Sequence, residues 1–328
     1  MWPFGKKRSG KGGKRLTIFF ASDLHGSTVC FRKFINGAGF YGADVLVLGG
    51  DLTGKAVLPI CRQADGSHLA HRSGDTVTLQ GRDEIEVYSR RAANMGFYPI
   101  VMPEDEFREL SADEARREKL FKKLVCDRVE EWCDFAGEKL AGTGIPLITA
   151  PGNDDFFEMD DVLNGSPHIE YHEMEVTEVR GYEMLHAGGS TITPWDTERE
   201  YTEDEYRQRF AELIPKVKDM RRCIFNVHVP PYGTVLDKCP KLDENLQVVF
   251  DMGNPVSMHA GSSALVEALQ EAQPLLGLHG HIHEGRGRID IGASVCVNPG
   301  SVYPEGILQG VLVTLEDDTI KSVQLTQG

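Results

Sequence analysis

The sequence predicts an α/β fold, and three observations carry that prediction. Short apolar, β-rich runs recur at Leu16–Ala21, Val45–Leu48, Pro146–Ala150, Cys223–Val227 and residues 275–278. Stretches with helix-capping signals lie between them. Each run also gives way at once to side chains with oxygen or imidazole donors, as in an open sheet whose strand ends carry a site.

In chain order, Leu16–Ala21 reads as a buried strand that ends at Ser22-Asp23-Leu24-His25-Gly26. A helix follows from Ser27, whose hydroxyl can cap it. Residues 37–42 spell G-x-G-x-x-G, but the motif closes a helix and precedes a strand, the reverse of a dinucleotide-binding turn, and is predicted to be a loop. Val45–Leu48 runs into Gly49-Gly50-Asp51. Gly49 to Lys55 nearly matches a phosphate-binding G-x-x-x-x-G-K loop, yet Ala56 lacks the magnesium-binding hydroxyl and Asp51 stands where phosphate would lie, which excludes ATP binding. Lys55 reads as a solvated loop lysine, with a substrate phosphate as its alternative partner.

Residues 56–110 interrupt the alternation and are predicted to be a small α/β insertion. Ala56–Arg62 and His68–His71 flank a turn at residues 64–67, Arg82–Asn94 is weakly helical, and Phe97–Met102 is a further strand. The insertion could be a substrate cap, a contact between copies in a homo-oligomer, or decoration. Ser111 and Glu114 spell a capping box that opens a helix to Leu140, with Leu120, Leu124, Cys126, Val129 and Cys133 as its buried stripe. Then come a hairpin (Glu175–Val179, Tyr182–His186), the Gly188–Pro194 loop, a helix from the Thr202-x-x-Glu205 box to about Met220, and a helix at Gly261–Ala272. Strands at Ile289–Ile291, Ser294–Asn298, Leu308–Thr314 and Ile320–Leu325 complete the chain, with a tight turn at Asn298-Pro299-Gly300-Ser301. The expected organisation is a basic disordered tail over 1–15 and one domain over 16–328, interrupted at about 56–110.

Apolar residues make up 41% of the 328, enough for a large core, and the net charge of −15 argues against nonspecific nucleic-acid binding. Lys6, Lys7, Arg8, Lys11, Lys14 and Arg15 crowd the N-terminus among glycines and a serine, which reads as a solubilising tail. Seven scattered cysteines without C-x-x-C make neither a disulfide framework nor a zinc ribbon and fit a reducing compartment. No apolar run approaches a membrane span, and Met1–Gly10 has no signal-peptide core. The expectation is a soluble, cytoplasmic protein without a membrane partner.

The strongest signal is His279-Gly-His281-Ile-His283, three histidines at alternate positions behind an apolar strand. Converging imidazoles read as a metal site, and an affinity tag would sit at a terminus without a strand ahead of it. Asp23 and His25, Asp51, Asn153, His228, and His281 with His283 stand at five separate strand ends. Each alone is ordinary, since loop Asp and Asn often form turns. Together they are seven mixed N and O donors, too many for one ion, and suit two divalent ions sharing a carboxylate. Such a pair, about 3.5–4 Å apart, can activate a bridging water and clamp a phosphoryl group for in-line displacement. Mixed donors favour manganese, iron or zinc over calcium.

In this order, D-x-H, G-D, G-N, H and G-H-x-H, the chain resembles the calcineurin-like metallophosphoesterases over nearly all its length outside the tail and insertion. It is most similar to small bacterial and archaeal phosphoesterases related to cyclic-nucleotide phosphodiesterases, whose Gly-Gly-Ser loop (188–190) and Asn-Pro-Gly-Ser turn it shares. The resemblance implies a four-layer α-β-β-α sandwich of two mixed sheets flanked by helices. It implies that Asp23, His25 and His283 bind a first metal, that Asp51 bridges, and that Asn153, His228 and His281 bind a second. It further implies hydrolysis of a phosphate ester, a nucleotide among the candidates and a diester before a monoester, by a metal-bridging hydroxide. His279 falls one step outside the motif and reads as a packing residue.

One position departs from the family pattern. Where a His usually follows the Asn, this chain has Asp154, which two dications would keep ionised and so a poor general acid. Three readings stand open: leaving groups that need little protonation, another histidine such as His259 as proton donor, or reduced activity. The rival from another class is a metal-binding scaffold or regulatory protein of the same fold. A DNA nuclease fits the donors but not the acidic surface.

Overall fold

The computed structural model describes residues 15–54, 56–72 and 75–328; most of the basic tail, and Lys55, fall outside them. Two six-stranded mixed sheets form the centre. The first runs Thr319–Gln327, Gln309–Glu316, Arg15–Ala21, Val45–Leu48, Leu147–Thr149, Glu170–Tyr171, and the second Gly287–Ile291, Ser294–Asn298, Leu276–Leu278, Cys223–Val227, Tyr182–Ala187, Glu175–Val179. Arg15–Ala21, Val45–Leu48, Leu147–Thr149 and Glu170–Tyr171 run parallel in the first sheet, and Ser294–Asn298, Leu276–Leu278, Cys223–Val227 and Tyr182–Ala187 in the second.

Strand alternation sorts the side chains into layers. Ile18, Phe20, Val45 and Val47 meet Tyr182, Met184, Ile224 and Leu278 in a core between the sheets. Phe19, Leu46 and Leu48 face outward onto the helices Thr28–Tyr41 and Glu114–Leu140, through Phe34, Val129 and Trp132. On the far side Leu185 and Phe225 pack on Phe210 and Leu265 from the helices Glu203–Leu213 and Ser263–Ala272. The result is the expected α-β-β-α sandwich. A one-residue slip of Arg15–Ala21 would turn Ile18 and Phe20 away from the second sheet, at about 1.5–3 kcal/mol for each large side chain exposed.

Residues 56–103 form a separate four-stranded sheet, ordered Asp75–Leu79, His68–Arg72, Ala56–Arg62, Phe97–Pro103, around Leu58, Ile60, Ala70 and Ala92. Five local expectations need correction. Residues 37–41 are helical, not loop: Gly37 lies under Phe19, where a Cβ would come within 2.5 Å of the ring, and Gly42 closes the helix in the left-handed conformation. Ser111 caps nothing; it ends a separate helix, Glu104–Ala112, and bonds Phe107 O, while the Asp113 carboxylate accepts from Arg116 N at the start of the long helix. The fully buried stripe of that helix is Val125, Val129, Trp132, Cys133 and Ala136, with Leu120, Leu124 and Cys126 only half-buried. The helix from Thr202 has its capping box but stops at Leu213, where Pro215 cannot extend the ladder. Asp75–Leu79 is an unforeseen strand, so exposed that it shows no apolar alternation. All seven cysteines are free, and no described helix is long and apolar enough to cross a membrane.

Candidate metal centre

The seven donors lie where the parallel strands of both sheets end, in loops whose backbone is held in unusual conformations. Asp23, His25, Asp51 and His281 all have positive φ, at 58°, 42°, 49° and 66°. Each such non-glycine residue costs about 1–2 kcal/mol, so neighbouring structure must impose it. The loops hold one another: Asp23 N donates to Gly50 O (3.0 Å), His25 N to Asp51 O (2.9 Å), and Gly280 N to His228 O (2.8 Å). Two glycines let them approach. A Cβ on Gly152 would stand 2.0 Å from Asp51 Oδ1, and one on Gly280 2.5 Å from Asp23 Oδ2.

The side chains converge in two groups that share a face. Asp23, His25 and His283 bring donor atoms within 4.8 Å of one another, and so do Asp51, His228 and His281. His25 Nε2 and His283 Nε2 are 3.0 Å apart. Asp51 Oδ2 lies 3.6 Å from His25 Nε2 and 3.4 Å from His228 Nε2, between the groups. Donors bound at about 2.0–2.2 Å to a common ion stand roughly 3.0–3.5 Å apart, so these spacings fit metal ligation. Asn153 supplies a second test. Its Nδ2 donates to Thr197 Oγ1 (3.0 Å) and Asp154 Oδ1 (3.3 Å), while its buried Oδ1 has no hydrogen-bond donor among the described residues, the state of an acceptor meant for a cation. The residues fit two divalent ions.

The surroundings fix which ring nitrogens face the centre. His228 Nδ1 donates to Gly49 O at 2.7 Å, turning Nε2 to the carboxylates. Burial pulls its pKa down, but Asp51 and Asp23 outweigh that and push it up to about 10. His281, buried beside His228, is held near 4 and is a neutral ligand at neutral pH. Asp23 is pushed up by burial, yet the His283 and His228 rings win and hold it below its ordinary value. His279 is buried; its Nδ1 donates to Val227 O (2.8 Å), just before His228, which accords with packing.

Several contributors escaped the sequence reading. Asp155, fully buried, accepts from Leu52 N, Thr53 N and Gly152 N, tying the Asp51 loop to the Asn153 loop. Asn298, in the turn noted for its motif, donates to Gly280 O and Ile282 O and so clamps the histidine loop, and Ser301 Oγ reaches Asp23 O. Tyr303 sets its ring 4.8 Å from that of His25. From the four-stranded sheet Tyr98 Oη receives Gly54 N at 2.7 Å, and Ser27 Oγ donates to Asn94 O. Asp155, Asn298, Ser301 and Ser27 stood in or beside segments the sequence singled out, while Tyr98 and Tyr303 had no signal.

Asp154 and His259 take different places. Asp154 N donates to Asp51 Oδ1 (2.9 Å), and its Oδ2 lies 3.4 Å from His25 Nδ1. His259 sits on a short strand, Ser257–His259, with Nδ1 2.8 Å from Asp237 Oδ1. Asp237 is buried and also accepts from Gly233 N, Thr234 N and Gly261 N. Both residues line one cleft of about 1010 Å³ together with His25, Asp51, Asn153, His281 and His283.

Two mixed sheets face to face, with these motifs in this order at the ends of their strands, are the architecture that the resemblance to the calcineurin-like metallophosphoesterases implies. The chain belongs to the same family as the uncharacterized protein MJ1162 of Methanocaldococcus jannaschii, to which it is 30% identical over 167 residues, 49% of this chain and 68% of that one. No family model matches the sequence. The crystal structure of TT1561 from Thermus thermophilus aligns over 95% of this chain and 98% of its own, at 18% identity and a TM-score of 0.51, a likeness of fold. A novel archaeal phosphodiesterase also aligns over 95% of this chain and 100% of its own, but its 11% identity and TM-score of 0.36 are too distant to speak to activity.

Proposed function

We propose that the chain hydrolyses phosphate esters with two divalent ions, manganese before iron or zinc, and diesters in preference to monoesters. The observation that carries this is Asp51 Oδ2, set between two donor groups that each suit one ion. In this reading Asp23, His25 and His283 hold one ion, Asn153, His228 and His281 the other, and Asp51 both. When bound, such a pair lowers the pKa of water and stabilises charge on the phosphoryl oxygens.

The chain's own groups do the rest. Asp154, beside His25 Nδ1, orients that ring and leaves proton transfer to another group. His259 supplies it: Asp237 holds Nδ1, so Nε2 is the nitrogen left to serve the cleft. Water gives one proton to solvent and its oxygen bonds to phosphorus, the ester P–O bond breaks, and the departing oxygen takes the Nε2 proton of the His259 imidazolium, which solvent then restores. Nucleotides are among the candidate diesters.

The test is turnover of a bis-aryl phosphate with added manganese. Wild-type protein should hydrolyse it, and Asp51→Asn should lose on the order of 10³-fold or more in kcat/KM. Metal-loaded protein that turns over no member of mono- and diester panels would instead support the scaffold reading.

A further inference from the structure

The cleft beside the donors is far larger than a phosphoryl group requires. At about 1010 Å³ it stands at the top of the roughly 300–1,000 Å³ range of sites that enclose whole organic ligands. Away from the donors its lining is apolar. Ile192 and Trp195 come from the loop after the short strand Ser190–Thr191, while Leu246, Val248 and Met258 come from the irregular hairpins between residues 238 and 259. These five side chains are 37–64% exposed. Exposed apolar residues on a protein surface are ordinarily scattered, whereas five gathered along one cleft mark a binding surface.

Charge is correspondingly sparse there. Glu203 engages its carboxylate with Ser262 Oγ, Ser263 N and Ala264 N at the start of a helix. His259 is held by Asp237. Among the described residues, Lys241 and Glu284 are the other charged ones along this part of the lining. A nucleotide's ribose and second phosphate would find few partners on such a wall. The next hairpin also carries exposed apolar side chains, Phe250 (63% exposed) and Met252 (96% exposed).

The cavity is continuous with the donor cluster, so what fills it is attached to the reacting phosphorus. We infer, resting on the two-metal reading above, that the substrate is a phosphodiester carrying a large apolar group, which lies against Trp195, Leu246, Val248 and Met258. An aryl ring and a long alkyl or acyl chain share that chemistry.

The experiment compares 4-nitrophenyl phosphodiesters that differ only in their second ester group (methyl, phenyl, octyl or dodecyl), using the full-length, manganese-loaded chain. The leaving group is constant, so differences report the second group. We expect kcat/KM for phenyl or octyl to exceed that for methyl by roughly tenfold or more, chiefly through KM. A rise with phenyl that stops there assigns an aryl substrate; a rise continuing to dodecyl assigns a chain. The double substitution Leu246→Ser/Met258→Ser should bring the octyl-to-methyl ratio towards one, and the wild-type series decides the matter should that variant fail to fold. Equal kcat/KM across the series overturns the inference while leaving phosphodiester hydrolysis standing. No turnover of any member overturns the hydrolase reading itself.

Discussion

The two sheets bring different chemistry to their shared edge. The first supplies oxygen: Asp23, Asp51, Asn153 and Asp154, with His25 its single imidazole. The second supplies nitrogen: His228, His281 and His283, and no carboxylate to either donor group. Neither half alone supplies the mixed donors of a two-ion site. The carboxylates without imidazoles suit hard cations such as calcium, and three imidazoles without carboxylates suit a single zinc. The proposed two-ion centre draws on both sheets, so ion binding should report on their packing.

The largest expected effect away from the ligands comes from the second-sheet side. His259→Ala should slow diesters with alkyl leaving groups on the order of 10²-fold and bis-aryl esters much less, because nitrophenolate leaves without a proton. Equal losses on both would remove His259 as the proton donor, as would an unchanged pH–rate profile. On the oxygen side, Gly152→Ala drives a methyl group to within 2.0 Å of Asp51 Oδ1. A loss of roughly 10–100-fold in activity is expected, whereas Gly165→Ala, with open space around it, should change little. Activity that survives Gly152→Ala would show that the carboxylate need not be where it stands.

The smallest effect tests the joint between the sheets. Stripping metal with a chelator should lower Tm by several degrees. An ion at 100 times its Kd contributes about 2.7 kcal/mol, and a chain of this size moves about 2–4 °C per kcal/mol. An unchanged Tm would mean that the sheets pack without help from ions.

What the sequence disclosed follows the same division. The convergence of the seven candidate donors was legible, because each ends an apolar strand and strand ends in such sheets face a common crevice. The sandwich was legible from the resemblance those donors establish, and the side-chain alternation of Leu16–Ala21 agrees with it. The supports were not. Asp155 sits next to Asp154, and nothing in spacing says that its carboxylate turns inward to bind Leu52 N and Thr53 N. Tyr98 and Tyr303 reach the site through long-range packing, which local pattern does not encode. Asp75–Leu79 hid for another reason: four of its five residues are exposed, so no apolar period marks it. The apolar wall of the cleft lies in loops and turns beside strands of two or three residues, too short for periodicity to register.

The measurement that bears most directly on the shared centre is metal content after manganese loading and exhaustive dialysis, for wild-type protein and for Asn153→Ala/His228→Ala. The account predicts two ions per chain for the wild type and one for the double substitution, with the Asp23, His25 and His283 ion retained. Wild-type protein that retains no ion, or a double substitution that still retains two, would contradict it.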